Sequence, residues 1–505
     1  MRFPFPKMDE CLPAQSDELI FPTLLNFLRL RWLRILAVSA LVLAPCLWHR
    51  EIVSSDLGSH LYNAWLVQLI QHGQTPGLWL STQRTNVLFD WMLSGLGSIF
   101  GLRIGEKVAV SIAVLVFFWG AFALVAAAVR RAPWYLTPVI AMVTYGWTFH
   151  LGFFNYYLAL GLSFFCLAIV WRGRSWELLA ALALAPLVLV AHPLGFVWLL
   201  GASAYIGMHE NVRGRDKAIP FVLAVAALFV LHFFLSRHYY VTPGTGPFYS
   251  FNGADQLVLF GERYRIVARA LLIFAVVALV VDVFRRRRDE QGVWRDYAVP
   301  LQLYVLAWLA VFLLPDAVAL PPPTAGVALL TERLTSVSAV LGCCLLGAMR
   351  PSKWHLAASA VIAAVFFSFV YQDAAVVNRM EAQVVRLVST LPPNQRVMAT
   401  ILPLPGSRVL IQHIVDRACI GHCFSYGNYE PGAALFRVRA LPGNPYVLAG
   451  YDEAVDMENG GYIVQPRDLP VYQIYQCSAT GTDLCICSLE AGEENGRLSE
   501  YSNQR

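Results

Sequence analysis

Three side chains with chemical potential follow the first long apolar run of the sequence. Asp56, His60 and Asn63 lie in SSDLGSHLYNAW at positions i, i+4 and i+7. If residues 55–72 are helical, the three share one face, and we expect this helix to lie at a membrane interface. A carboxylate beside an imidazole can transfer protons or bind a cation. A structural explanation is also open, because an acidic first-turn residue complements the helix dipole and can pair with the histidine.

Other polar residues occur where apolar packing does not require them. They are His150 and Asn155 in YGWTFHLGFFNYYLALG, His192 in VAHPLGF, and Glu332 with Arg333 in TERLTS. Each has a structural alternative as well: His192 can satisfy backbone groups at a bend before a proline, Asn155 can cap a helix, and Glu332 can pair with Arg333 in solvent. Together they favour a shared functional role.

The composition places these residues in a membrane protein. The chain has 505 residues, of which 57% are hydrophobic and 14% charged, and its mean hydropathy is +0.54. Apolar runs recur from about residue 33 to residue 371, each long enough to cross most or all of a bilayer. The middles of these runs are nearly free of charged residues, which argues against a proton- or ion-coupled transporter.

The distribution of basic residues predicts the topology. All basic clusters between the runs can face the cytoplasm at once if there are about eleven spans. The predicted spans are 33–48, 108–129, 133–149, 152–171, 177–191, 195–208, 218–235, 266–284, 297–314, 336–349 and 354–371. This order puts the N-terminus in the cytoplasm and the C-terminus outside, in the inner (cytoplasmic) membrane of a cell. The net charge of +5 then reflects these loops, and no nucleic-acid partner is expected.

The first run has a second interpretation. WLRILAVSALVLAPCLW resembles a signal sequence, with Cys46 as a lipidated cysteine. However, about 30 residues precede it, and Pro45 occupies the position where a small residue is expected before the cysteine. We therefore predict an uncleaved span.

The predicted fold is an α-helical polytopic membrane protein with a small C-terminal α/β domain outside the membrane. Its parts are a cytoplasmic segment (1–32), a transmembrane region (33–371) with an outer loop (49–107), the α/β domain (372–490) and a disordered tail (491–505). Residues 86–102 of the outer loop are predicted to form an interfacial helix. In the C-terminal domain we predict a helix at 374–391 and strands at 396–401, 408–414, 435–440, 446–450, 462–465 and 471–477.

Cysteines are concentrated in the predicted outer domain, where an oxidising compartment permits disulfides. The candidates are Cys419, Cys423, Cys477, Cys485 and Cys487. A zinc site is the alternative, but the spacing fits no recognised zinc finger. The odd number leaves at least one of the five thiols unpaired.

The arrangement resembles the GT-C superfamily of multispanning glycosyltransferases, which take a sugar from a polyprenyl-phosphate carrier on the outer side of a membrane. The similarity lies in an acidic residue in the first outer loop (SSDLGSHLYNAW), in the interfacial helices that follow (NVLFDWMLSGLGSIFGLRIGEKVAVSI), in the many spans and in a soluble C-terminal domain. HLGFFNYYLALGLSFF and LVLVAHPLGF look like recurring segments of poorly characterised members. The resemblance covers about residues 30–371.

The resemblance implies roles for these residues. Asp56 would be the catalytic base, and His60 and His192 would bind substrate or a divalent cation. The other implied substrate-binding residues are Asn63, Asn155, Arg333, Arg263 and Arg265, with the arginines holding the lipid phosphate. The chain departs from the family because Asp56 has no acidic neighbour; Asp255, Glu262 and Glu332 are candidates for a second carboxylate. The implied partners are a polyprenyl-phosphate sugar, membrane lipid, and a glycan, lipid or protein acceptor.

Two other classes stay open. One is a flippase or transporter of lipid-linked saccharides, which predicts polar residues through the spans. The other is a non-catalytic component of a surface-polysaccharide assembly system. A shared cavity containing Asp56, His60, Asn155 and His192 would favour the enzyme, and scattered side chains would favour the scaffold.

Overall fold

A computed structural model describes eight ranges of the chain. They are residues 20–172, 175–212, 214–243, 252–286, 293–319, 326–433, 436–478 and 481–495. The longer segments outside the described residues are 1–19, GTGPFYSF (244–251), residues 287–292 in the middle of RRRRDEQGVWRD, LPPPTA (320–325) and the tail beyond residue 495. Met1–Ala44 and Pro45–Arg505 form two compact units, and the candidate site belongs to the second.

Helices make up most of the described chain. They are α1 (Ile20–Leu47), α2 (Leu57–Gln71), α3 (Leu88–Phe100), α4 (Leu102–Val129), α5 (Thr137–Thr144), α6 (Trp147–His150), α7 (Phe154–Arg172), α8 (Ser175–Ala191), α9 (Pro193–Asn211), α10 (Ala218–His238), α11 (Tyr264–Arg286), α12 (Val293–Leu313), α13 (Leu330–Ala348), α14 (Lys353–Ser389), α15 (Ile414–Cys419), α16 (Glu430–Ala433) and α17 (Tyr451–Asn459).

The apolar helices define a helical membrane protein. Within the described ranges, six helices are long and apolar enough to cross a membrane: Leu102–Val129, Phe154–Trp171, Ala218–His238, Tyr264–Arg285, Leu330–Ala348 and Lys353–Ser389. Four shorter apolar helices are Trp32–Leu47, Leu88–Phe100, Leu178–Ala191 and Tyr297–Leu313. The predicted interfacial segment 86–102 contains a helix, α3, as expected.

The six long apolar helices do not establish the eleven predicted spans, and two of those spans differ from the helices of the structure by more than their end residues. The segment predicted as one span at 133–149 is broken into a 3-10 turn and the short helices α5 and α6. The side chain of Gln256 lies beside this break. Its Oε1 atom accepts hydrogen bonds from the backbone N and from Oγ1 of Thr148, over 3.1 and 2.9 Å. The predicted span 354–371 and the predicted helix 374–391 are one continuous helix, α14, since no glycine or proline separates them.

Several long helices begin at the same end of the fold. The hydroxyl of Tyr156, at the start of α7, donates a hydrogen bond to the carbonyl of Arg333, at the start of α13, over 2.8 Å. His192, which immediately precedes α9, lies 3.3 Å from the same arginine. At the other end, Arg131 after α4 donates to the carbonyl of Gly347 near the end of α13, over 2.9 Å. The region around Arg333 and the region around Arg131 therefore lie at opposite ends of α13.

The strands form one four-stranded sheet and two short ladders. They are β1 (Leu78–Leu80), β2 (Tyr240–Thr242), β3 (Ala317–Ala319), β4 (Arg396–Thr400), β5 (Phe424–Ser425), β6 (Val438–Ala440), β7 (Val471–Gln476) and β8 (Leu484–Leu489). The sheet order is β5-β4-β7-β8, parallel except for the antiparallel pair β7–β8. Its apolar core is built from Met398, Tyr426, Leu448, Met457, Tyr462, Val464, Val471 and Leu489.

The sequence located two strands of this sheet correctly, β4 and β7. Residues 408–414 and 446–450 are not strands, 462–465 contains only a single bridge at Ile463, and the described part of 435–440, residues 436–440, is a strand only from Val438. Segment 408–414 buries apolar side chains although it joins no sheet. Its contact is with a loop, since the backbone N of Arg408 donates to the carbonyl of Leu259 over 2.8 Å. β8 and β5 were not predicted.

The C-terminal region is not a separate body. Residues from Pro45 onward form one compact unit, and β6 pairs with β1 of the predicted outer loop, with Leu80 opposite Val438. The predicted tail also starts too early: Asn495 is fully buried and its Nδ2 donates to the carbonyl of Met457 over 2.6 Å.

Candidate functional site

Asp56 is placed by close backbone packing at the start of α2. Its backbone N donates to the carbonyl of Leu151 over 3.1 Å. Gly152 has a φ of +86°, and a Cβ there would lie 2.7 Å from the backbone N of Asp56. A side chain at position 152 would therefore push the HLG segment away from Asp56. The predicted helix 55–72 is confirmed with slightly shorter bounds.

Most of α2 is covered by protein, and its position at a membrane interface stays a prediction. Ten of its 15 residues are buried, because the C-terminal region covers the helix. The covering segment comes so near that a Cβ on Gly58 would lie 2.1 Å from the carbonyl oxygen of His413. Glycine at position 58 thus permits the contact that brings His413 to Asp56.

His413 lies among three carboxylates. Its Nδ1 is 2.9 Å from Oδ2 of Asp416, and its Nε2 is 3.8 Å from both Oδ1 of Asp56 and Oε1 of Glu458. Burial disfavours the charged ring, but the negative charges of Asp416, Glu458 and Asp56 outweigh burial and raise the pKa of His413 to about 10. The imidazolium is therefore the stable form at neutral pH.

The Asp56 side chain is partly accessible to solvent and lies near cationic groups. It is 18% exposed. Burial raises the pKa of its carboxyl group, while the positive charges of His413, His60 and Arg333 act in the opposite direction. A carboxylate in this position is a proton acceptor whose ionised form depends on its cationic neighbours.

His60 connects Asp56 to two further acids. Its Nδ1 lies 2.8 Å from Oδ1 of Asp90 and 3.7 Å from Oε1 of Glu430. Burial lowers the pKa of His60, but Asp90, Glu430 and Asp56 outweigh burial and raise it to about 9. Burial raises the pKa of Glu430 to about 8. Its Oε2 has no hydrogen-bond partner among the described residues.

Asn155 and Asn63 have positioning roles in this arrangement. The Nδ2 of Asn155 donates to Oδ2 of Asp90 over 2.7 Å, and its Oδ1 accepts from the backbone N of Phe89 over 2.8 Å. Asn155 thus fixes the acid that holds His60. Asn63 donates to Oδ1 of Asn428 over 3.1 Å inside a buried network between α2 and the C-terminal region. Neither amide faces an open cavity in these contacts.

His192 and Arg333 form a second part of the site. Nε2 of His192 lies 3.3 Å from a terminal nitrogen of Arg333, and Nδ1 of His192 accepts from the backbone N of Leu194 over 3.1 Å. The guanidinium of Arg333 stacks over the ring of Phe153 at 4.0 Å. Asp90 contacts both His60 and Asn155, and Tyr156, next to Asn155, donates to the carbonyl of Arg333. His60, Asn155, His192 and Arg333, which come from four separate segments, therefore lie in one connected region.

The histidines do not make a metal site in this arrangement. Nδ1 of His60 faces Asp90, and a guanidinium lies beside His192. In the part of the chain that the structure describes, no group of three or more His, Cys, Asp or Glu side chains is arranged to hold a metal ion. The residues present therefore do not fit the predicted divalent cation.

The other two predicted phosphate-binding arginines lie on α11 and the turn before it, and both form ion pairs. Arg263 lies 2.6 Å from Oδ1 of Asp373 on α14. Arg265 lies 2.7 Å from Oε2 of Glu262, whose side chain is 67% exposed. Their contacts do not join them to the Asp56 cluster.

The three predicted second carboxylates are also engaged elsewhere. Glu262 pairs with Arg265. Oδ2 of Asp255 accepts from Oγ1 of Thr335 over 2.7 Å. Glu332 accepts from Thr331 over 2.7 Å. The acids near Asp56 are instead Glu458, Asp416, Asp90 and Glu430.

Two of the predicted disulfides form. Cys419 bonds to Cys423 at the end of α15, and Cys477 bonds to Cys485 between β7 and β8. Cys487 lies on β8 outside both disulfides. The first disulfide closes the turn after the helix that carries Asp416, next to His413.

Two cavities lie near the cluster. A void of about 10 Å³ is lined by residues that include Ser55, Gly58 and His413, and this volume holds at most one water molecule. A cleft of about 600 Å³ is lined by Leu80, Ser81, Thr82, Gln83, Arg84, Trp91 and Arg437. Neither cavity is lined by Asp56, whose side chain is 18% exposed, so the predicted chamber shared by Asp56, His60, Asn155 and His192 is not one of these two, and the larger cleft lies on the Asp90 side.

Sequence reasoning missed the residues contributed by the C-terminal region. His413, Asp416 and Glu430 lie more than 350 residues from Asp56 in the chain. One signal was available: HIVD places His413 and Asp416 at i and i+3, a spacing at which side chains on a helix meet. Asp90 lies within the predicted interfacial segment 86–102, and nothing in its local spacing indicates the contact with His60.

Comparison of the chain with known family models, with curated proteins and with solved structures finds no match.

Proposed function

We propose that the protein is a membrane glycosyltransferase of the GT-C type that transfers a sugar from a polyprenyl-phosphate donor to an acceptor hydroxyl. The observation that carries the proposal is the convergence of Asp56, His413, His60 and Arg333 at one end of the apolar helices. One partly exposed carboxylate among three cations suits a reaction that removes a proton and releases an anion.

In the proposed reaction, Asp56 accepts the proton of the acceptor hydroxyl. The hydroxyl oxygen forms a bond to the anomeric carbon as the bond from that carbon to the phosphate oxygen breaks. The leaving phosphate keeps the electron pair. His413 stabilises the ionised form of Asp56 before the transfer, since a cation favours a nearby carboxylate.

Arg333 is the proposed partner of the departing phosphate. A guanidinium presents several donors in a fixed plane that matches phosphate oxygens. Phe153 and His192 hold the side chain at the start of α13. No step of this proposal uses a divalent cation.

The proposed location is the outer side of the inner membrane. The helix starts that carry the site lie opposite the end with Arg131, and basic residues mark the cytoplasmic ends of spans. The C-terminal region would then lie in the periplasm, where the disulfides of Cys419 and Cys477 are stable.

A non-catalytic component of a polysaccharide assembly system is the second candidate. The observation that favours it is the small void beside His413, which admits no sugar without movement.

The test is transfer from radiolabelled polyprenyl-phosphate sugars by the purified full-length protein. We expect transfer by the wild type and a loss of 100-fold or more for Asp56→Asn, which keeps the shape but removes the base. Glu262→Gln is the matched control, because it removes an exposed acid outside the cluster, and it should transfer normally. Equal transfer by wild type and Asp56→Asn would refute the catalytic role, and added EDTA should leave the rate unchanged.

A further inference from the structure

The cleft beside α3 has a lining suited to a polar ligand. Of its seven lining residues, only Leu80 and Trp91 are apolar. The strand pair β1–β6 fixes one wall, since Leu80 pairs with Val438 and the backbone N of Ser81 donates to the carbonyl of Arg437 over 2.8 Å. The cleft volume of about 600 Å³ accommodates a small oligosaccharide.

Two arginines give this cleft a positive charge. A terminal nitrogen of Arg437 donates to the backbone carbonyl of Asp90 and to Oγ of Ser94, both over 3.2 Å, which holds the guanidinium in place. Arg84, the second arginine of the lining, is exposed. No Asp or Glu occurs among the described lining residues, so the charge is available to an anion.

Trp91 makes the cleft more specific than an anion site. It is 44% exposed in the first turn of α3, so a large apolar ring face is open to the cleft. Ser81 and Thr82 place hydroxyl groups in the same lining. An indole with hydroxyls and amides around it binds a ligand that carries both apolar faces and many hydroxyls, which is the chemistry of a sugar ring.

The cleft is linked to the Asp56 cluster through two residues. Asp90 binds Arg437 with its backbone carbonyl and His60 with its carboxylate. Arg439 donates to Oε1 of Gln83 over 2.9 Å, and Glu430 acts on its charge. A ligand in the cleft thus lies next to the groups that surround the proposed base.

We propose that this cleft binds an anionic saccharide, a sugar segment carrying a carboxylate or a phosphate, as part of the acceptor. The assignment to the acceptor rests on the proposed glycosyltransferase function. Arg84 and Arg437 bind the anionic groups, and Trp91 stacks on a neighbouring ring. A polyprenyl chain fits this lining less well, because it would place a lipid tail against two arginines and three uncharged polar side chains.

The test is direct binding to the full-length protein in detergent, measured by isothermal titration calorimetry. The probes are trigalacturonate, glucose 6-phosphate, uncharged galactotriose and farnesyl phosphate. We expect trigalacturonate or glucose 6-phosphate to bind at least tenfold more tightly than galactotriose. Whichever of the two binds more tightly shows whether the cleft prefers a carboxylate or a phosphate. Arg84→Gln should weaken that binding about tenfold, as should Arg437→Gln, because each removes a charge-assisted contact.

Arg84→Gln is the decisive variant, because Arg84 is exposed and its replacement leaves the Asp90 contact of Arg437 intact. Unchanged binding by Arg84→Gln, or no binding of either anionic sugar, would overturn the inference. Binding of farnesyl phosphate that depends on Arg84 and exceeds that of the sugars would assign the cleft to a lipid instead.

Different results would reject the sugar-binding cleft and the glycosyltransferase activity. Asp56→Asn should bind the anionic sugar like the wild type, because the carboxylate lies outside the cleft lining. Transfer without sugar binding would reject the cleft and keep the enzyme. Sugar binding without any transfer would keep the cleft and reject the enzyme.

Discussion

The Nε2 atom of His413 lies 3.8 Å from Oδ1 of Asp56, although the two residues are 357 positions apart in the chain. The other ring nitrogen is held by Asp416 at 2.9 Å. The ring is therefore fixed by one acid and presents its positive charge to another. This relationship makes the protonation of Asp56 depend on a residue of the C-terminal region.

Replacing His413 with glutamine should impair transfer without removing the base. We expect a rate loss of about 10- to 100-fold at neutral pH, since Asp56 loses its strongest cationic neighbour. Without that charge the pKa of Asp56 rises further, so the acid limb of the pH–rate profile should move to higher pH. The measurement is kcat/KM between pH 5 and pH 9.

His422→Gln is the matched control for this variant. His422 lies nine residues further along and contacts the carbonyl of Leu391 at 3.0 Å, away from Asp56. Its acid limb should coincide with that of the wild type. If the acid limb of the pH–rate profile of His413→Gln also coincides with that of the wild type, His413 does not control the pKa of Asp56.

Thermal stability should fall as the pH rises above about 6.5. The pKa values of His413 and His60 are raised to about 10 and about 9 in the folded protein, whereas unfolded imidazoles lose their protons near pH 6.5. The folded state therefore binds more protons over this interval, and the free energy of unfolding decreases with pH until both rings are neutral.

Differential scanning fluorimetry of the detergent-solubilised protein between pH 6 and pH 10 measures this effect. His413→Gln should show a shallower decline of Tm than the wild type, because one of the two linked protons is gone. A Tm that is flat or rises over this range would contradict the assignment of imidazolium forms.

Gly58→Ala should separate the C-terminal region from α2. The new Cβ would lie 2.1 Å from the carbonyl oxygen of His413, a backbone atom that cannot rotate away. We expect a stability loss of about 1–3 kcal/mol, typical of overpacking, and a loss of transfer activity as His413 moves. Both Tm and transfer are measured.

Gly95→Ala provides the comparison for this substitution. Gly95 lies within α3, and a Cβ there meets no atom within 4 Å. It should be neutral or stabilising by up to about 1 kcal/mol, because alanine favours a helix. If both variants behave alike, the Gly58 contact does not position His413.

The sequence predicted the apolar helices better than the contacts between them. The break at His192–Pro193 and the helix at 88–100 were recognisable, because proline and hydrophobic spacing act locally. The break at Gly146 was not, since the Gln256 side chain that contacts Thr148 just after it comes from a distant loop. The apolar segment 408–414 has the composition of a strand but is not one, because burial by loop packing and burial in a sheet favour similar residues.

The same distinction holds for the site. Asp56 and His60 attract attention through their spacing, but the acids beside them come from positions 90, 430 and 458. Long-range pairing of charged side chains leaves no periodic signal in a single sequence. The glycines are a partial exception: Gly58 and Gly152 both mark close backbone contacts around Asp56.

Arg417 should be the most sensitive charged residue for stability. On α15, it lies 3.0 Å from Glu381 of α14 and 2.8 Å from Glu106 of α4, and both acids are buried. Arg417→Met leaves two buried carboxylates without their counter-ion, a change that costs about 3–5 kcal/mol for a buried pair. Because α15 begins beside His413, transfer should fall together with Tm.

A triple variant distinguishes loss of the pair from loss of packing. Adding Glu106→Gln and Glu381→Gln to Arg417→Met removes the unpaired charges, and we expect Tm to recover by at least half of the loss. The exposed pair of Arg265 with Glu262 is the control, since Arg265→Gln should change stability by less than about 1 kcal/mol. If the triple variant stays as unstable as Arg417→Met, the arginine stabilises α15 by packing, and the electrostatic link between the apolar helices and His413 is rejected.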